Sequence, residues 1–344
     1  MRPEPLKNIK TILAVSSCKG GVGKSTIATH LARYIHSLGF KVALLDADIY
    51  GPSVPTLLDI SQPKIQMVGK EIWPHVVEKD FKTLSFGFLL GDGAAVLRGP
   101  MVASYVQQIL LHTQWGELDT LVIDLPPGTG DVQLTITQQA DLDGAIIVTT
   151  PQALALVDVS KGIVMFEKVN VPVLGLVENM SYFECGGCHL KHYPFGKGTE
   201  SLKERFGLET LAEFPIFAEM SDIKKFDLQK MKPLYDNLQR QLEKKRSQKE
   251  TLPVVDYSES HIRIHWTEGN VTLLKNTVVR AACRCAQCVD ESTGQPKLKP
   301  ETIPINLRAE NITRIGNYAL SISWSDGHTM GIFPYKQLKE LGKI

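Results

Sequence analysis

Long apolar runs are missing from this 344-residue sequence. None approaches the roughly 18 to 20 residues that a membrane-spanning helix needs, so no membrane partner is expected. An excess of charge is missing too: 38 Lys and Arg face 37 Asp and Glu, a net +1. That balance removes the electrostatic case for nucleic acid or an acidic surface. The one dense basic cluster, Lys244 to Lys249, lies in a polar stretch that reads as a solvated helix end. The opening residues, MRPEPLKNIK, hold neither the apolar core of a signal peptide nor an Arg/Ser-rich transit pattern, so a cytoplasmic location is expected. None of the nine histidines begins an HxD or HxE pair, which excludes a 2-His-1-carboxylate iron centre.

What is present is ordinary soluble composition, 43% hydrophobic and 22% charged, in a chain long enough for two domains. From Lys10 to about Leu211, short β-branched runs alternate with segments of helical spacing, the pattern of a parallel sheet covered by helices. Strands are expected at Thr11 to Ser17, Lys41 to Asp48, Thr120 to Pro126, Gly144 to Pro151 and Val171 to Asn179. A polar helix and linker should close this first domain, residues 1–250. Residues 257–344 read as a small β-rich domain.

The run CKGGVGKST follows an expected strand and opens an expected helix, the context of a phosphate-binding loop. Gly20, Gly21, Val22 and Gly23 can turn backbone N–H groups toward phosphate oxygens, with Thr26 in the first helical turn. Lys24 would reach the β/γ-phosphates of ATP and Ser25 would hold Mg²⁺. Cys18 stands where the strict motif has its first glycine, either as a packing residue or as a functional thiol. Two strand-end carboxylate segments, LLDADIYGPSVP and LVIDLPPGTGD, fit the rest of such a site, although a strand-end Asp can also be a cap or turn former.

KGGVGKS, with its second lysine, resembles the deviant Walker A loop of the family that includes MinD, ParA, the nitrogenase iron protein and the Mrp/ApbC proteins. The resemblance implies a doubly wound, mostly parallel α/β P-loop fold. It implies that Lys19 reaches the nucleotide of a facing subunit in a homodimer. It also implies that Asp48 positions the attacking water, Asp46 supports the Mg²⁺ shell, Asp124 contacts Mg²⁺ through water and Asn179 recognises adenine.

The six cysteines are clustered: Cys185 with Cys188, and Cys283 with Cys285 and Cys288, leaving Cys18 alone. Such spacing in a reducing compartment points to metal or redox chemistry. Cys185 and Cys188 make half of a four-thiolate cluster site; zinc shared with His189 or His192, and a redox pair, are the alternatives. DADIYGPSVP, RGPMV, VIDLPPGTGD and ENMSYFECGGC together resemble the Mrp/ApbC/Nbp iron–sulfur carriers. That resemblance implies a [4Fe-4S] cluster bridging two chains, received from a donor and passed to apo-protein clients. A positioning ATPase of the MinD/ParA kind and a reductase-like electron donor are the competing readings.

Cys283, Cys285 and Cys288 need a fourth ligand to enclose a zinc ion, and His328 is the candidate. Loose ligands and a second cluster are the alternatives. Residues 261–341 resemble the N-terminal domain of γ-butyrobetaine hydroxylase, which implies Zn²⁺ in that set and a docking role. An Mrp core with this tail resembles the plastid high-chlorophyll-fluorescence type of carrier.

Overall fold

Strands that read as apolar on both faces are buried on both faces. A computed structural model describes residues 2–90, 99–196, 199, 202, 206–216, 222–250, 252–285, 287–289, 295–315, 319–329 and 331–342. The chain divides into two compact units, Met1–Leu242 and Glu243–Ile344.

The first unit begins with β1 (Ile9–Ser16), α1 (Lys24–Ser37), β2 (Val42–Asp46) and α2 (Val54–Leu57). A short hairpin of β3 (Gln66–Val68) and β4 (Glu71–Trp73) precedes β5 (His75–Glu78) and β6 (Phe81–Ser85). Next come α3 (Phe86–Leu90), α4 (Gly99–His112), β7 (Leu118–Asp124), α5 (Asp131–Gln139), β8 (Gly144–Thr149) and α6 (Ala153–Lys168). β9 (Val173–Glu184), β10 (Lys191–His192), β11 (Thr210–Pro215) and α7 (Lys232–Glu250) follow. Nine of these strands form one sheet in the order β10-β9-β8-β1-β7-β2-β6-β5, with β11 also on β9. Only β5–β6 and β9–β10 pair antiparallel, so the sheet is the mostly parallel α/β form that the sequence predicts.

Alternation along the central strands explains the unbroken apolar runs. Ile12 and Ala14 of β1, with Leu121 and Ile123 of β7, face one core with Trp115 and Phe166. Leu13, Val15 and Val122 face the other, against Ile27 and Leu31 of α1 and Leu238 of α7. Helices cover both faces, so neither side of a strand needs polar residues. The register sets Asp46 beside Asp124, and Asp124 beside Val15. The phosphate loop and both carboxylate segments therefore leave one edge of the sheet from adjacent strands, where α/β folds bind ligands.

β1, β2, β7 and β8 end one or two residues before the expected position and β9 five beyond it. β2 stops at Asp46, before Asp48, because Asp46 binds the turn that follows it. β9 runs on through Asn179 to Glu184 and ends at the cysteine pair.

The second unit holds β12 (Val254–Tyr257), β13 (His261–His265), β14 (Val271–Lys275), α8 (Asn276–Ala281), β15 (Ala309–Ile315), β16 (Ala319–Trp324), β17 (Gly331–Pro334) and α9 (Tyr335–Leu341). Its strands make two three-stranded antiparallel sheets. Their shared core includes Ile262, Ile264, Trp324 and Phe333 together with Cys283 and Cys288.

Candidate functional site

The loop between β1 and α1 is held from three sides. Gly128 and Leu125, beyond β7, donate backbone hydrogen bonds to Ser17 and Val15, each at 2.9 Å. Gly23 begins the helix at φ 84°, a left-handed conformation that favours glycine. Glycine has a second reason there: an added Cβ would lie 2.3 Å from Nδ2 of Asn179. The Asn179 amide uses that space to donate to the Val22 carbonyl at 2.9 Å. Asn179 and the loop residues Gly20, Gly21, Val22, Gly23, Ser25 and Thr26 thus converge at one strand end. Lys19 lies half-buried in the same loop.

Lys24 is buried and donates to Asp124 Oδ1 at 2.6 Å, with Ser25 Oγ 3.2 Å from the same ammonium. Among the described residues, the other Asp124 oxygen is buried without a hydrogen-bond partner. An orphan carboxylate oxygen beside the Ser25 hydroxyl is the donor chemistry that a hard divalent cation takes. Burial pushes the Asp124 pKa up, against the pull of Lys24. Asp46 is used internally. Its Oδ1 accepts from Asp48 N–H, and its Oδ2 accepts from Val54 N–H and Ser85 Oγ. Burial, then the nearby Asp124 charge, raise Asp46 to about 7. Asp48 accepts from Gly51 N–H at 3.1 Å, which fixes the turn carrying it. Cys18 packs against α6: a Cβ on Gly162 would sit 2.5 Å from its sulfur, which supports the packing role.

Cys185 and Cys188 occupy the turn between β9 and β10. Cys185 N–H donates to Leu190 O and His189 N–H to Cys185 O, at 3.0 and 2.8 Å. Cys188 is exposed and Cys185 half-exposed. Backbone N–H groups of Cys188 and Gly187 point at the Cys185 sulfur and hold its pKa below the usual thiol range. Neither expected histidine joins them. His189 faces Glu184 at 3.4 Å, and His192 stacks on Phe183 with ring centres 4.9 Å apart.

Among the described residues, one group of three or more metal-ligating side chains converges: Cys283, Cys285, Cys288 and His328. Their ligand atoms all lie within 4.8 Å of one another. The three sulfurs are 3.3, 3.6 and 3.9 Å from His328 Nε2. A tetrahedron with metal–sulfur bonds of about 2.3 Å has edges of about 3.8 Å, so the dimensions suit one ion. Burial pushes the Cys283 thiol up to about 12 and, with the Arg280 charge, pushes His328 down. A metal ion would reverse the first effect and match the neutral imidazole produced by the second.

A model of the NUBPL iron-transfer P-loop NTPases matches residues 8–249, more than half of the chain. The chain belongs to that family. Residues 254–339 match the γ-butyrobetaine hydroxylase-like N-terminal domain. The Arabidopsis thaliana chloroplastic Fe-S cluster assembly factor HCF101 is 41% identical over 99% of this chain and 66% of its own length. An Aquifex aeolicus iron-sulfur cluster carrier protein is 48% identical over 62% of this chain and 60% of its own. The chain thus spans somewhat under two thirds of these relatives. An Archaeoglobus fulgidus nucleotide-binding protein, solved with ADP and cobalt, has a TM-score of 0.56 at 40% identity. That match covers 67% of this chain and 90% of the other.

In this member of the family, several residues around the sites escape motif reading. Arg280 is buried; its Nη1 donates to Cys288 Sγ at 3.2 Å and its Nε to Asp326 Oδ2 at 2.9 Å. Asp326 also accepts from the His328 backbone N–H at 3.1 Å. Gln133 is fully buried and donates to Ser16 Oγ and Pro126 O, tying β1 to the turn after β7. The Asp326-Gly327 turn was a usable signal for an ordered loop at His328, whereas Arg280 and Gln133 carry none.

Proposed function

We propose that this chain is an ATP-binding and ATP-hydrolysing carrier that holds a [4Fe-4S] cluster and passes it to apo-proteins. One observation carries the reading. An accessible pair of thiols, one of them depressed in pKa, sits at the end of the strand whose Asn179 touches the phosphate loop. The printed functions of the Arabidopsis and Aquifex relatives support it.

In this reading Gly20 to Thr26 cradle the phosphates of ATP, Lys24 neutralises them and Asn179 meets the base. Ser25 and the free oxygen of Asp124 serve Mg²⁺ directly or through water, and Mg²⁺ supplies charge neutralisation at the phosphates. Asp46 braces the turn that positions Asp48, the group that orients the attacking water. Two thiolates are half of the usual complement for such a cluster, so a second copy of the chain supplies the rest. Lys19 of each copy would reach the nucleotide of the other. Exposure of the pair suits a cargo that must leave.

Cys283, Cys285, Cys288 and His328 would hold Zn²⁺ permanently, organising a unit that docks clients or cluster donors. The test is transfer. Anaerobically loaded protein should restore activity to an apo [4Fe-4S] enzyme in the presence of an iron chelator. Recovery that the chelator abolishes would mean free iron, and not this protein, does the work.

A further inference from the structure

Asn179 at the phosphate loop and Cys185, the first residue past the end of β9, are six residues apart, about 20 Å at strand rise. The strand between them is not regular. Met180 adopts φ 56°, a left-handed conformation unusual for a side chain with a Cβ. Beside it, β11 advances from Glu213 to Pro215 while β9 advances from Glu178 to Tyr182. Between these pairs one residue of β11, Phe214, faces three of β9, Asn179 to Ser181, so β9 carries a bulge around Met180. Bulges re-aim the chain beyond them, and strained residues persist only where their surroundings hold them.

What holds this one is a carboxylate. Glu178 is 1% exposed. Its Oε1 accepts from Ser181 Oγ at 2.5 Å, across the bulge, and its Oε2 accepts from Thr199 N–H at 3.1 Å. The Thr199 hydroxyl lies 3.3 Å from that of Thr210, the first residue of β11. Both oxygens of Glu178 are thus used to fasten the bulge, immediately before the residue that contacts the loop.

We propose that Glu178 is a positioning residue that locks the Met180 bulge, so that occupation of the phosphate loop, felt at Asn179, is transmitted along β9 to the Cys185–Cys188 turn. The inference rests on the carrier reading for its purpose, but its test needs no cluster.

The test is the alkylation rate of Cys185 and Cys188 in the cluster-free, zinc-loaded full chain, resolved by peptide mass, with and without Mg-ATP. In wild type, nucleotide should change the rate by about five-fold or more, the lower end of ordinary coupling between sites. Glu178→Gln, which cannot accept at both positions, should lose most of that response while still binding ATP. Ser181→Ala removes only the bridging hydroxyl and serves if Glu178→Gln misfolds; it should lose the response as well. A wild type indifferent to nucleotide, or either folded variant keeping the full response, would overturn the proposal. Failure of wild type to assemble a cluster, with the thiol response intact, would instead count against the carrier reading alone.

Discussion

Two sets of cysteines in one chain are built in opposite ways. The set in the second unit is complete, buried but for the half-exposed Cys285, and supported: Cys283, Cys285, Cys288 and His328 converge within one fold, with Arg280 and Asp326 behind them. The pair in the first unit is incomplete and accessible, presented on a hairpin turn with no third ligand from its own chain among the described residues. Enclosed sites keep an ion because every ligand is fixed before it binds. A half-site can take up and release a cargo, because its remaining ligands belong to someone else. The contrast is the one expected between a site built to keep an ion and a site built to pass a cargo on, and it needs neither motif alone.

The largest effect expected from that contrast is on folding. Structural zinc in small domains contributes on the order of 10 kcal/mol, as much as the whole net stability that a unit of about 100 residues keeps. Cys283→Ser should therefore unfold the second unit, read as rapid proteolysis beyond residue 253. Cys185→Ala/Cys188→Ala should leave the melting temperature within about 1 °C of wild type, since only exposed side chains change. Equal destabilisation by both would erase the distinction.

Thiol reactivity should separate the sets next. The thiolate is the nucleophile, and backbone N–H groups hold Cys185 below the ordinary thiol range, so its reactive form persists to lower pH. Burial pushes the Cys283 thiol up to about 12, and a bound ion would tie up its sulfur as a ligand, so near neutrality it offers no free thiolate. At pH 7.5 iodoacetamide should label Cys185 faster than Cys283 by about ten-fold or more. Comparable rates at neutral pH would contradict the assigned environments.

The smallest of these effects concerns Arg280. Its N–H group donates to the Cys288 sulfur, and groups placed behind metal ligands contribute about 10- to 100-fold in affinity. Arg280→Met should weaken zinc retention by that factor in competition with a chromophoric chelator, while the Cys185 pair behaves as in wild type. An unchanged affinity would reduce the arginine to packing.

Much of this arrangement is legible in the sequence because its chemistry is local. The phosphate loop, both carboxylate turns and both cysteine groups are each contained in about ten residues, and backbone demands fix their spacing. Even His328, 40 positions beyond Cys288, follows from counting ligands. What was hidden depends on contacts between distant segments. Arg280 reads as an ordinary basic residue in the last turn of a helix until Asp326 and Cys288 are folded against it. Glu178 reads as the polar end of a strand, since nothing local reveals that β9 continues to Glu184 or that Met180 bulges. Asp46 reads as support for a Mg²⁺ shell, and its hold on Asp48, Val54 and Ser85 emerges only when those segments fold together.

The most direct test of the central claim is iron, sulfide and zinc content, with a visible absorption spectrum, after anaerobic reconstitution of wild type and of Cys185→Ala/Cys188→Ala. The account predicts a brown chromophore with about four iron and four sulfide per dimer in wild type. It also predicts that the double variant loses the chromophore while both proteins retain about one zinc per chain. Wild type that binds zinc but assembles no cluster would contradict it.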